Sequence, residues 1–196
     1  MKILCTLIAA VFMLAPASRA ATITYIVSLS GPNESPVNTS PGTGNALVII
    51  DTVANTLEVN VQFTGLVSPT TASHIHCCTA SPGTGTAGVA TVTPTFVNFP
   101  LGVTSGSYDR TYDLTLASSY NPAFITTTVA AAETQLLAGI AAGDSYLNIH
   151  TTTSPGGEIR GFLTLAPEPA TWLLAGIALA GLTLSRITPR RRVSRE

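Results

Sequence analysis

His74, His76 and His150 are the only histidines in the chain, and they are its best candidates for chemistry. Side chains alternate along a strand, so His74 and His76 of Ser73-His-Ile-His76 share one face while Ile75 takes the other. In Ser145-Tyr-Leu-Asn-Ile-His150, Leu147 and Ile149 mark the apolar face, leaving Tyr146, Asn148 and His150 opposite. The imidazoles therefore point away from the core or toward a second layer. Were the two strands neighbours, three neutral imidazoles would converge on one ion, a ligand set suited to zinc or copper, with Cys78 on the same face as a fourth ligand. The structural alternative is a hydrogen-bonded cluster that ties glycine-rich loops to the sheet through backbone carbonyls. A two-metal redox centre requires more ligands than three histidines supply.

Cys5 lies in the leader described below, so the mature chain keeps only the adjacent pair Cys77 and Cys78. In an oxidising compartment these thiols do not stay free. A vicinal disulfide between them is preferred slightly over bridging to another chain. Glu158 and Arg160 fall on one face of the last strand and read as a surface or loop-clamping ion pair. No Ser-His-Asp order, phosphate loop or paired-carboxylate motif accompanies them, so no enzymatic activity is expected.

The elements that must position these residues are mostly strands. The segment between Ala21 and Ala166 is rich in Thr, Val, Gly, Ser and Pro, contains no Lys or Met, and alternates in short runs separated by Gly/Pro turns. Strands are predicted near 22–29, 44–51, 56–64, 72–77, 106–116, 145–151 and 158–165. One helix is predicted over 127–142, with Gly143 as its stop. At about 145 residues, the segment has the size of one domain with its own core. It holds two arginines against eight acidic residues, so it has nothing with which to neutralise phosphates, and nucleic acid is not an expected partner.

Two motifs carry a resemblance. Ser73-His-Ile-His76, and Tyr146-Leu-Asn-Ile-His150-Thr followed by Pro155-Gly-Gly-Glu-Ile-Arg-Gly161, together resemble the CHRD domain over roughly Thr22 to Leu165. The resemblance implies a mainly β, β-sandwich-like extracellular module without an established enzymatic activity. Where many members continue His-x-His with Gly-Pro, this chain has Cys77-Cys78.

The ends of the chain carry addresses. Residues 1–20 read as a secretory signal peptide: Lys2, an apolar run from Ile3 to Leu14, and small residues before a cleavage expected after Ala20. Residues 167–196 begin with Pro167-Glu168-Pro169, continue into an apolar stretch from Leu173 through Ile187 after Trp172, and end with Arg186, Arg190, Arg191, Arg192 and Arg195. The stretch falls a little short of the roughly 20 residues of a span, and with Trp172 at one interface and the arginines at the other end it is expected to form a transmembrane helix with its arginines in the cytoplasm. The three parts in order resemble the PEP-CTERM sorting signal, which implies recognition and processing by an exosortase.

The leading expectation is thus a non-enzymatic protein of the cell envelope or extracellular matrix, associated with exopolysaccharide or biofilm. Signal peptidase and exosortase are its processing partners, the membrane is contacted through the C-terminal helix, and an inner-membrane intermediate precedes release. The alternative is a periplasmic or extracellular zinc- or copper-binding protein using the three histidines. No other cofactor is expected.

Overall fold

The computed structural model describes residues 22–167 of the 196-residue chain. Strands β1 (Thr22–Ser30), β2 (Thr43–Asp51) and β3 (Thr56–Thr64) form an antiparallel meander in full register. The turn between β2 and β3 is set by Asp51, whose carboxylate accepts the backbone N–H groups of Val53 and Ala54, each at 2.8 Å. Period-two alternation sends Tyr25, Val27 and Leu29, then Ala46, Val48 and Ile50, then Leu57, Val59, Val61 and Phe63 to one buried face.

The other strands are β4 (Thr70–His76), β5 (Gly106–Asp113), β6 (Tyr146–Thr151), β7 (Ile159–Phe162) and β8 (Thr164–Leu165). All eight belong to one sheet in the order β4-β6-β7-β1-β2-β3-β5, with β8 also on β1. β7 and β8 pair with β1 in a single register, Ser30 with Arg160 and Tyr25 with Leu165, so the strand predicted over 158–165 is one strand interrupted at Leu163.

The mainly β reading with one helix holds, and the layers of the expected sandwich are parts of one sheet that curls into a half barrel. The segment 77–105 runs along the free edge of β4, where Ala90, Phe96 and Gly102 donate to the carbonyls of Ile75, Ser73 and Thr70. Its Val97 meets the hydroxyls of Tyr108 and Tyr112 on β5. An edge so covered offers no template for another chain.

Helix α1 (Val129–Ala142) starts at Thr128, whose side chain accepts from Ala131 N–H, and ends at Gly143 in the left-handed conformation. It adds Ala132, Leu136 and Ile140 to the core.

One group of expectations is corrected. Among the described residues no helix is long and apolar enough to cross a membrane; α1 has 14 residues where a span needs about 20. The expected transmembrane helix, and with it the membrane contact and the inner-membrane intermediate, is therefore withdrawn. The segment on which it rested, including Glu168, Pro169, Trp172 and the arginines from Arg186 to Arg195, lies outside the described residues, as does the expected leader.

Candidate metal centre

β4 and β6 are neighbours in antiparallel register, with His74 opposite Asn148, Ala72 opposite His150 and His76 opposite Tyr146. Alternation places Ile75, Leu147 and Ile149 in the core and the three histidines on the other face. Unlike the outer face of the meander, this face is covered, and the histidines are only 6–8% exposed. Two connections make the cover, and between them they supply three backbone carbonyls, two from the segment 77–105 and one from the loop between β6 and β7. Pro94 O takes the Nε2 proton of His74, Ala87 O that of His76 Nδ1 at 3.0 Å, and Pro155 O that of His150 Nδ1 at 3.0 Å.

A carbonyl only accepts, so the ring nitrogen facing it carries the proton and the other nitrogen of a neutral imidazole keeps a bare lone pair. Those other nitrogens are His74 Nδ1, His76 Nε2 and His150 Nε2. All three are buried and have no hydrogen-bond partner among the described residues. One ring nitrogen from each histidine lies within 4.8 Å of one from each of the others. Around an ion at ordinary metal–nitrogen distances the nitrogens would stand roughly 3.4 Å apart, so small ring rotations would close the site. Carbonyl bonds to the distal nitrogens are the usual second shell of metal-binding histidines.

Residues 25–163 match the CHRD domain, and residues 165–191 match the PEP-CTERM protein-sorting motif. The chain belongs to the CHRD domain family. No curated protein and no solved structure matches it. The CHRD match contains every histidine and both cysteines of the described residues. Together the domain and the motif make this an exported, non-enzymatic envelope or extracellular protein with an exosortase as its sorting partner.

The electrostatics of this CHRD domain keep the imidazoles neutral. Burial holds the pKa of His76 and His150 down to about 4, and lowers that of His74. Nearby positive charge adds to this, from His74 at His150 and from His150, His74 and Arg160 at His76. The His76 ring stacks on Tyr146 with centroids 4.7 Å apart, and the Arg160 guanidinium also lies over Tyr146, 4.7 Å from its centroid.

Arg160 and Glu158 do not form the expected pair, and neither is at the surface. Arg160 donates to the carbonyls of Asn33 and Gly85 and faces Glu34 at 3.8 Å. Glu158 accepts from Ser40 Oγ, Val67 N–H and Thr151 Oγ1 at 2.6–2.7 Å. Each therefore clamps different loops. Glu34, which sequence reasoning missed, is 5% exposed, and burial pushes its pKa up to about 7 against the pull of Arg160. The available signal was a lone acid within Gly31-Pro-Asn-Glu-Ser-Pro36 of a charge-poor domain.

Cys77 and Cys78 are joined as a disulfide. β4 ends at His76, so strand alternation does not carry on to Cys78. Both sulfurs instead pack over Gly139 of α1, and the candidate ligand cluster consists of the three histidines without a cysteine.

Proposed function

We propose that this exported CHRD-domain protein holds one zinc or copper ion on His74, His76 and His150. The observation that carries the reading is the set of three buried imidazoles, each bonded to a loop carbonyl through one nitrogen and unpartnered at the other, with a ring nitrogen of each within 4.8 Å of one from each of the others. A cluster serving only to tie loops to the sheet would need the carbonyl bonds alone, and would leave three buried acceptors unsatisfied at a cost of about 1–3 kcal/mol each. Titration of the purified protein with zinc and copper against competing chelators is expected to give one ion per chain. His76→Ala and His150→Ala should each abolish it while far-UV circular dichroism stays unchanged. Binding no tighter than micromolar for either metal would overturn the reading.

The sorting motif supports the setting. We assign residues 1–20 to a leader removed by signal peptidase, and Pro167-Glu168-Pro169 with the arginines Arg186, Arg190, Arg191, Arg192 and Arg195 to the signal read by exosortase. The destination is the exopolysaccharide-containing matrix outside the cell, where the domain acts by binding rather than by catalysis.

A further inference from the structure

We infer that the three-histidine centre is selective for monovalent copper over zinc(II) and copper(II). The inference rests on the metal reading above and concerns which ion the site prefers. Its basis is charge. The candidate cluster offers three imidazole nitrogens and no thiolate or carboxylate, so a bound ion keeps its full formal charge in a buried place.

The energy of transferring an ion out of water grows with the square of its charge, so a divalent ion there costs about four times what a monovalent one does. Proteins that bury divalent ions usually answer with anionic ligands. Here the fixed charge that acts on the cluster has the wrong sign. The Arg160 guanidinium shares the Tyr146 ring with His76 and acts on His76 as a positive charge even with Glu34 3.8 Å from its Nε. Because Asn33 O and Gly85 O hold it in place, it cannot swing away to admit a dication.

Ligand number points the same way. Zinc(II) sites of three protein ligands complete a tetrahedron with water or hydroxide, whereas copper(I) is satisfied by three donors in a plane. The neighbouring polar group that could serve as a fourth ligand is Asn148, which stands opposite His74 in register. Its amide lies against the turn at Gly156 and Gly157: Nδ2 reaches toward Gly156 O, and both amide atoms border Gly157 beside Glu34 Oε1. The centre is thus a three-donor site in which a low charge is an advantage.

The test uses the purified protein under anaerobic conditions, with copper(I) held by a chromogenic copper(I) chelator and zinc(II) by a zinc-specific one. Expected is one copper per chain that a roughly hundredfold excess of zinc(II) does not displace, and that remains silent in electron paramagnetic resonance on exposure to air. Displacement by zinc(II), or a copper(II) signal from the loaded protein, would overturn the selectivity while leaving metal binding intact. Retention of neither metal would overturn both.

Charge itself is tested by two variants checked for folding by circular dichroism. Arg160→Gln should narrow the copper(I) over zinc(II) preference by about tenfold, and Glu34→Gln, which leaves the guanidinium uncompensated, should widen it. A preference unmoved in whichever of the two folds would overturn the charge argument.

Discussion

Burial keeps three imidazoles neutral against the upward pull of their loop carbonyls, and that has a consequence for stability in the metal-free protein. The folded chain keeps His76 and His150 neutral down to about pH 4, whereas the same groups in the unfolded chain protonate near the ordinary value of 6.5. Between those values the unfolded chain binds more protons, so stability is full above about pH 6.5 and falls as pH drops toward 4. Glu34 works in the opposite sense. Its folded pKa of about 7 exceeds the ordinary 4.5, so its contribution is present at low pH and is lost as pH rises through 7. Thermal melts of the metal-free protein from pH 8 to pH 4 should show a falling Tm, and Glu34→Gln should raise Tm at pH 8 and steepen the acid-side fall. A Tm independent of pH across this range would contradict the burial of neutral imidazoles. The shared face of His74, His76 and His150 was legible from alternation alone. Their carbonyl partners were not, because Pro94, Ala87 and Pro155 lie on irregular loops whose path no periodicity encodes.

Helix α1 shows how an element is fixed by what it packs against. Its limits follow from the Thr128 cap and Gly143, and the sequence placed them within two residues. Gly139 has a different reason to be glycine: a methyl group there would collide with both sulfurs of the Cys77–Cys78 pair. Gly139→Ala should therefore destabilise the protein by about 1–3 kcal/mol, although in an exposed helix the same change would stabilise by about 1 kcal/mol. Urea denaturation measures the sign directly; a gain in stability would mean that the helix does not rest on the cysteine pair. The strands were legible for the same local reasons as the helix. The path of the segment 77–105 was not legible, because its bonds go to the edge of β4 and to β5 tyrosines, which are partners remote in sequence.

On the scale of the whole molecule, the order β4-β6-β7-β1-β2-β3-β5 brings the last strands back beside the first, a long-range pairing that local pattern does not encode. The assignment of the tail as a processing signal is tested by mass spectrometry of the C-terminus of native protein from cell and medium fractions. A shortened terminus near Pro167 is expected, and an intact Glu196 in every fraction would refute processing there. The described chain begins at Thr22, and Ala166 N–H bonds to Thr24 O, so both ends leave from the same end of β1. Ser30, at the other end of β1, pairs with Arg160, which pairs with Asn148 and through it with His74. Six residue steps of strand, about 20 Å, separate Thr24 from Ser30. The domain is therefore polar in the geographical sense: the described chain enters and leaves at the pole opposite the histidines.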